Sequence, residues 1–184
     1  MRTIVAFLMI SADGYHESAD GSLSWHNVDA EFNDFAVEQL DDADTLLFGR
    51  RTYQLMAEFW PSPAAVHDDP AVAGRMNSYQ KIVVSRTLTS ADWAPTTLIS
   101  DDVPAQVGKL KEQPGRDIAL LGSSTLAASL LDLGLIDELR IMVNPVVLGA
   151  GRPVLAGARR TRLTLARRRE FRSGNVLLTY RAGA

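Results

Sequence analysis

The sequence contains no cysteine in its 184 residues. Without thiols the chain cannot form disulfides, use a thiolate nucleophile or build a zinc–sulfur site, and this composition fits a cytoplasmic protein. Its three histidines, His16, His26 and His67, show none of the close spacings that are typical of metal ligands. We therefore expect a cytoplasmic protein without a disulfide framework and without a metal centre.

An excess of positive charge and a long apolar run are also missing. The formal net charge is −3 at pH 7, which argues against a protein built around DNA or another polyanion. The apolar start of the chain, residues 3–10, is too short to span a bilayer and is better explained as a buried strand. An arginine-rich segment at residues 159–172 fits a solvated strand face or a subunit contact. These features predict neither a nucleic-acid partner nor a membrane partner.

Alternating strand and helix patterns predict an α/β fold. Apolar runs predict six strands, at residues 3–10, 45–48, 81–85, 97–100, 117–121 and 139–144. Helical patterns lie between them, at residues 30–40, 52–59, 70–79, 103–111 and 124–133. Continuous apolar strands separated by helices indicate a largely parallel sheet with helices on both faces.

The end of the chain has a different pattern. Strand-like residues 162–171 and 176–181 are joined by a short turn, which predicts an antiparallel hairpin at one edge of the sheet. The Pro-containing residues 60–63 are predicted to be a loop. Because 46% of the residues are hydrophobic and no linker is evident, we expect residues 1–184 to form one domain.

Two arginines lie at the start of a predicted helix, directly after a buried strand. Gly49 ends the strand, and Arg50 and Arg51 open the helix. Arginine is unfavourable there because a helix N-terminus already carries partial positive charge. It becomes favourable if the backbone amides and the guanidinium groups bind an external phosphate together. An exposed arginine pair on an ordinary turn is the alternative explanation.

A second strand-to-helix turn carries a glycine and three hydroxyl groups. Gly122 ends a buried strand, and Ser123, Ser124 and Thr125 begin a helix that stops at Gly134. Donors at the carboxyl end of a sheet form a second possible phosphate cradle. Ser and Thr are also ordinary N-cap residues, so a structural role is the alternative. The segment matches neither the Walker nor the Rossmann glycine pattern.

The segment after the first strand has the composition of a substrate lid. It contains an Asp13-Gly14 turn, the amphipathic Trp25, and the carboxylates of Asp29 and Glu31 at the start of a helix. Each has a structural alternative, because Asp29 can serve as an N-cap, Glu31 as an acid of the first helical turn and Trp25 as a core residue.

In chain order these segments resemble the dihydrofolate reductase superfamily, most closely the branch with the reductase domain of bacterial riboflavin biosynthesis. The matching segments cover nearly the whole chain and are residues 11–14, 48–53, 60–61, 81–88, 122–126, 134–139 and 144–151. The resemblance implies a dihydrofolate reductase-like fold with about eight strands, mostly parallel, and an antiparallel C-terminal edge.

The resemblance also implies an NADPH-dependent reductase and a role for individual residues. The residues expected to hold the cofactor phosphates are Gly49, Arg50, Arg51 and Thr52, with Ser85 and Arg86 near the 2′-phosphate. The residues expected to wrap the pyrophosphate are Gly122, Ser123, Ser124, Thr125 and Leu126. The backbone of Val5 and Ala6 would lie beside the nicotinamide, and the substrate would face Asp13, Trp25 and Asp29. A homodimer is expected by analogy; residues 139–148 are a candidate interface, although internal burial explains them equally well.

Three departures from the family pattern leave the substrate open. Riboflavin-type reductases tend to carry a glutamate where this chain has Leu121, and the glycine pair of dihydrofolate reductases is here Gly122-Ser123. The spacing between Trp25 and the following carboxylates also differs from that of dihydrofolate reductases. We expect no zinc deaminase chemistry, since the deaminase domain that is often fused to such reductases has no counterpart among these residues. We expect hydride transfer from NADPH to a small heterocycle, pteridine- or pyrimidine-like; the alternative is a non-catalytic nucleotide-binding or regulatory protein.

Overall fold

The computed structural model describes residues 1–183, in which strands and helices alternate. The elements are, in chain order, β1 (Ile4–Ser11), β2 (Tyr15–Ser18), α1 (Ala30–Asp41), β3 (Ala43–Gly49), α2 (Arg50–Phe59), α3 (Pro63–Asp68), α4 (Pro70–Ser78), β4 (Gln80–Val84), β5 (Thr96–Ile99), α5 (Val103–Glu112), β6 (Asp117–Leu121), α6 (Ser124–Asp132), β7 (Glu138–Asn144), β8 (Gly151–Pro153), β9 (Leu163–Glu170) and β10 (Val176–Ala182). Within these residues no helix has the length and apolar character needed to cross a membrane.

Eight strands form the central sheet in the order β5-β4-β3-β6-β1-β7-β10-β9. The first six are mutually parallel, whereas β10 runs antiparallel to β7 and β9 antiparallel to β10. The predicted mostly parallel sheet and its C-terminal edge hairpin are therefore confirmed. The helix with the arginine pair begins at Arg50, as that pattern indicated.

Both faces of the sheet are buried along its central strands, whereas the edge strand β9 is largely exposed. Along β1, Ile4 and Leu8 belong to the apolar cluster that includes α5 and α6, while Phe7 belongs to the cluster on the opposite face with α1 and α4. Ile4 is 0% and Leu8 1% exposed. Because strand side chains alternate between faces, a strand covered on both sides is apolar at every position, which explains the continuous apolar runs.

Two short strands that the sequence patterns did not predict form a separate sheet. β2 pairs antiparallel with β8, 133 residues later at the Ser18–Gly151 pair. Both strands are short and partly polar, so they have no apolar alternation that would reveal them. The two backbones approach so closely that a Cβ on Gly151 would collide with the carbonyl oxygen of Glu17.

The prediction that residues 60–63 are a loop was wrong at its last residue. Pro63 is the first residue of α3, and the Ser62 hydroxyl caps this helix by accepting a hydrogen bond from the amide of Ala65 (3.2 Å). Proline is well tolerated at the first helical position, because its φ is already helical and its missing N–H has no partner there.

A buried lysine stabilises the end of α4. Lys81 is 0% exposed, and its Nζ donates to the carbonyl oxygens of Met76 (3.1 Å), Asn77 (3.0 Å) and Tyr79 (2.8 Å). The ammonium also lies 4.5 Å from the centre of the Trp93 ring. Burial lowers the pKa of Lys81 to about 8, so the group is still mostly charged at pH 7.

Replacing Lys81 with Met should destabilise the protein, because three carbonyls near the end of α4 lose their donor. We expect the free energy of unfolding to fall by about 1–3 kcal/mol, the usual cost of leaving buried polar groups unpaired. The exposed Lys109→Met variant on α5 is the matched control and should change it by less than about 0.5 kcal/mol. Urea unfolding of both variants measures the difference, and equal stability would contradict this role.

Candidate active site

A cavity of about 1150 Å³ lies at the carboxyl ends of β1, β3 and β6. Its walls include Phe7 and Met9 from β1, Gly49 at the end of β3 and Leu121 at the end of β6. Ligands of open α/β sheets bind at this end of the strands. Typical pockets for one small ligand measure about 300–1,000 Å³. The cavity can therefore hold more than one small ligand.

The N-termini of α2 and α6 meet at this cavity and are tied together. The amide of Gly49 donates to the Ser123 hydroxyl (2.9 Å), and the amide of Ser123 donates to the Thr52 hydroxyl (3.2 Å). The amide of Gly122 donates to the carbonyl of Phe7 (2.9 Å), which fixes the second turn to β1. In the described chain the N-cap residues Gly49 and Ser123 make no side-chain capping bond to their own helices. Two helix dipoles thus point their positive ends into one space.

Gly122 is constrained by its backbone and by its neighbour. Its φ is +61°, and a Cβ at this position would lie 3.3 Å from Cγ2 of Thr52. A side chain here would be strained and would fill the approach to both helix ends. The predicted glycine position is therefore a close approach between the two turns.

Positive charge surrounds the same end of the cavity. Arg50 is exposed and makes a long hydrogen bond to Gln54 (3.4 Å), so its guanidinium is held weakly. Arg51 pairs with one carboxylate oxygen of Glu17 (2.9 Å), and Arg152 pairs with the other (2.9 Å). The Glu17 side chain is 12% exposed. Three arginines and one carboxylate leave this end of the cavity net positive.

The predicted hydroxyl residues of the second turn have different roles. The Ser124 side chain is buried and accepts a hydrogen bond from the amide of Leu155 (2.7 Å), which anchors the segment after β8. Thr125 is exposed and lines the cavity, as does Leu126. Of the three hydroxyl residues, Thr125 is the exposed one.

Four predicted cofactor residues lie beside the cavity rather than in its wall. Val5 and Ala6 are buried inside the sheet, and β1 lines the cavity with its next residues, from Phe7 onward. The Ser85 hydroxyl accepts from the amides two and three residues ahead (3.2 and 2.9 Å). Arg86 is exposed directly after it.

The predicted substrate carboxylates bind backbone amides. Asp13 accepts from the Ser11 hydroxyl (2.6 Å) and from the amides of Leu148 (3.1 Å) and Gly149 (2.8 Å). These hydrogen bonds, that of Ser11 foremost, hold the pKa of Asp13 below its usual value. Asp29 is the N-cap of α1 and accepts from the amide of Phe32 (2.8 Å). Neither carboxylate is among the described residues that line the cavity.

Glu31 and Trp25, also considered from the sequence, have structural partners. The Glu31 carboxylate accepts from the amide of Arg172 (3.0 Å), at the turn of the C-terminal hairpin. The Trp25 indole donates to the carbonyl of Ser22 (3.2 Å), and its ring centre lies 4.5 Å from that of His26. From the same segment, the residues in the cavity wall are His16, Glu17, Gly21, Leu23, Ser24, His26 and Val28.

Two histidines in the cavity wall were not predicted as site residues. The Nε2 atoms of His16 and His26 are shielded from solvent and have no hydrogen-bond partner among residues 1–183. Burial lowers the pKa of both imidazoles, that of His26 to about 4 with a smaller contribution from His16. Leaving a buried polar atom unpaired costs about 1–3 kcal/mol. No spacing in the sequence reveals these residues, because the fold brings them together.

The rest of the wall is largely apolar, with a few polar side chains such as Asn33 and Asp69. Four of the nine large apolar side chains exposed among residues 1–183 line it, namely Leu23 (39%), Val28 (52%), Leu55 (57%) and Phe59 (53%). Contiguous exposed apolar surface is unusual in a soluble protein and marks a binding surface. The cavity therefore combines a cationic end with an apolar wall.

Comparisons with known proteins assign this chain to a family. The protein-family model of the RibD C-terminal domain matches residues 2–177. The uncharacterized protein YyaP of Bacillus subtilis (strain 168) is 34% identical over 182 residues, covering 97% of this chain and 94% of YyaP.

Two solved structures share the fold. The Thermotoga maritima diaminohydroxyphosphoribosylaminopyrimidine deaminase/5-amino-6-(5-phosphoribosylamino)uracil reductase aligns with a TM-score of 0.71 at 13% identity, over 99% of this chain and 57% of that one. Dihydrofolate reductase from Enterococcus faecalis aligns with a TM-score of 0.63 at 15% identity, over 99% and 97%. The family model confirms the predicted riboflavin-type branch, and the solved structures confirm the predicted dihydrofolate reductase-like fold.

The neutral state of His26 predicts how stability depends on pH. Because its pKa is about 4 in the folded chain and 6.5 in the unfolded chain, the unfolded state binds the proton first. The contribution of His26 to stability should be complete above pH 6.5 and should be lost as the pH drops toward 4. His26→Leu should flatten this decline, whereas His67→Leu, at an exposed residue of α3, should leave it unchanged. Urea unfolding between these pH values measures the slopes; identical slopes for wild type and His26→Leu would refute the assignment.

Proposed function

The chain belongs to the RibD C-terminal domain family, a family of reductases, and from this premise we propose that it transfers hydride from NADPH to a small heterocyclic acceptor, pteridine- or pyrimidine-like. The observation that carries the proposal is the meeting of two helix N-termini and three arginines at one end of a large, mainly apolar cavity. The related fold of Enterococcus faecalis dihydrofolate reductase, a structure complexed with NADP(H), supports the choice of cofactor.

The residues at the cationic end fit a dinucleotide. Helix N-termini and guanidinium groups bind phosphate, and a Cβ on Gly122 would intrude where the pyrophosphate must approach. In the proposal Gly49, Arg50, Arg51 and Thr52 hold phosphate, and Gly122, Ser123, Ser124, Thr125 and Leu126 form the turn that wraps the pyrophosphate. Ser85 and Arg86 stand near the 2′-phosphate, and Val5 and Ala6 support the strand beside the nicotinamide. NADPH, when bound, supplies the hydride.

The apolar wall positions the reacting rings and excludes water. Met9, Phe32 and Met56 line the cavity close to the carboxyl end of β1. Holding the donor and acceptor rings together lowers the entropic part of the barrier, and dry surroundings strengthen the interactions that polarise the acceptor. The chain thus contributes orientation and environment.

Asp13, Trp25 and Asp29 remain predicted substrate residues. They lie in the segment between β1 and α1, several of whose residues line the cavity. In the described structure the two carboxylates are engaged with backbone amides, so this role requires the segment to rearrange when the substrate binds.

We extend the proposal to the organisation of the protein: residues 1–184 form one domain that acts as a homodimer in the cytoplasm. The family match over residues 2–177 supports one domain. In the candidate interface at residues 139–148, Leu139 and Met142 are buried within the chain, while Val147 is 72% exposed. A dimer contact in this region would therefore use the exposed end after β7.

A non-catalytic nucleotide-binding protein is the second candidate. It is favoured by Leu121 at the position of the expected glutamate and by the engagement of Asp13 and Asp29 with the backbone. Steady oxidation of NADPH in the presence of pteridine, pyrimidine or quinone acceptors supports the reductase. Tight NADPH binding without turnover by any of them supports the second candidate.

We predict that NADPH binds at least tenfold more tightly than NADH, a difference of about 1.4 kcal/mol. Charge-assisted hydrogen bonds to the extra phosphate are worth about 1.5–3 kcal/mol each. Arg50→Gln, Arg51→Gln and Arg86→Gln should each weaken NADPH binding more than NADH binding, as measured by calorimetry. Equal affinity of the wild type for both cofactors would exclude this assignment.

One further variant is the control in that experiment, and another tests the glycine turn. Arg159 is 80% exposed in its side chain, pairs with Asp132 and lies outside the cavity wall, so Arg159→Gln should leave both affinities unchanged.

Gly122→Val should abolish binding of both cofactors while a cooperative melt persists, because the side chain fills the approach between the helix ends.

A further inference from the structure

We propose that His16 and His26 form the hydrogen-bonding end of the acceptor site, and that they recognise an uncharged carbonyl oxygen on an otherwise apolar ring. The inference rests on the proposed reductase function and replaces the pteridine- or pyrimidine-like acceptor of that proposal with a carbonyl compound of quinone type. It concerns side chains for which neither the sequence patterns nor the family resemblance suggested a role.

The unpaired nitrogens of the two imidazoles are the first observation. Among residues 1–183, four buried side-chain polar atoms have no hydrogen-bond partner, and two of them are Nε2 of His16 and of His26. Both histidines line the same cavity. Buried polar groups are normally paired, so a molecule bound in the cavity that both residues line is the candidate partner, once the rings turn toward it.

The position of His26 is fixed by its neighbours despite the unpaired nitrogen. The backbone amide of Asn27 donates to Oδ1 of Asn144 (2.9 Å), and the side-chain amide of Asn27 donates to the carbonyl of Ser173 (2.9 Å). Nδ2 of Asn175 donates to the Asn27 carbonyl (2.8 Å). Three hydrogen bonds to β7 and the C-terminal hairpin thus hold the segment against the cavity.

Of the three carboxylates in the cavity wall, two are already paired and one is exposed. Glu17 is paired with two arginines, and Asp69 caps α4 by accepting from the amide of Val72 (3.2 Å). Asp68 is exposed at the end of α3. The N–C–N edge of a pterin presents two donors and calls for a paired carboxylate acceptor. Among residues 1–183 the wall therefore offers one exposed carboxylate, that of Asp68, and two shielded neutral imidazoles.

Neutral imidazoles suit a carbonyl oxygen. Burial lowers the pKa of both histidines, so each presents one N–H donor at neutral pH. A neutral imidazole N–H can polarise a carbonyl without a charged partner. Because both Nε2 atoms are shielded in the chain as it stands, the rings must turn when the acceptor binds.

The proposed reduction balances with groups already named. A quinone-type acceptor takes the hydride and its electron pair from NADPH, and one proton from water completes the hydroquinone. NADPH becomes NADP⁺. The histidines hold and polarise the acceptor oxygen and do not change their own protonation over the cycle.

Binding of two probes to matched variants tests the inference. The probes are menadione, an uncharged quinone, and pterin; the variants are His16→Leu, His26→Leu and the control His67→Leu. We expect the wild type to bind menadione at least tenfold more tightly than pterin. Each cavity variant should weaken menadione binding about fivefold or more without a lower melting temperature, and the control should match the wild type.

Nitrogen-15 NMR of the imidazoles gives a readout that does not depend on turnover. Menadione should shift the Nε2 resonance of His26 and leave that of His67 in place. His26→Gln keeps a side-chain N–H donor and should restore part of the affinity that His26→Leu loses. Unchanged menadione affinity in both leucine variants, or tighter binding of pterin, would overturn the inference. Absence of NADPH binding to the wild type would instead overturn the proposed function.

Discussion

The structure of the site depends on two helix N-termini that are bonded to each other's turns. The Gly49 amide bonds the Ser123 hydroxyl, and the Ser123 amide bonds the Thr52 hydroxyl, so α2 and α6 cannot move independently. Parallel neighbours β3 and β6 deliver both turns to the same edge of the sheet. Position 122 is a glycine because the space between the two helix ends excludes a side chain. The arginines that follow Gly49 fit the same arrangement, because the space between two positive helix ends favours an anion.

The cavity divides its chemistry between two ends. Arginine charge, partly balanced by Glu17, gathers at the helix termini, while apolar side chains and two neutral histidines form the remaining wall. The small sheet of β2 and β8 belongs to both parts, since it carries His16, Glu17 and Arg152. This division matches a ligand with an anionic portion and a flat uncharged portion.

Much of the fold was predictable because it is encoded locally. Apolar runs such as residues 117–121 and the turn before residues 176–181 identified the main strands and the edge hairpin, and the Gly49–Arg50 junction identified a helix start. The β2–β8 pairing, the Glu17 bridge and the proximity of His16 to His26 depend on contacts between distant segments, which no local pattern contains. Asp13 and Asp29 illustrate the same limit, since their residue types suggested chemistry and their surroundings gave them backbone partners.

A crystal structure with NADPH bound tests the central claim most directly. Our account predicts the pyrophosphate between the first turns of α2 and α6, next to Gly122, with the nicotinamide ring against the carboxyl end of β1 and space beside it toward His26. Electron density for the cofactor at another surface, or a cavity that stays empty at saturating NADPH, would contradict the account.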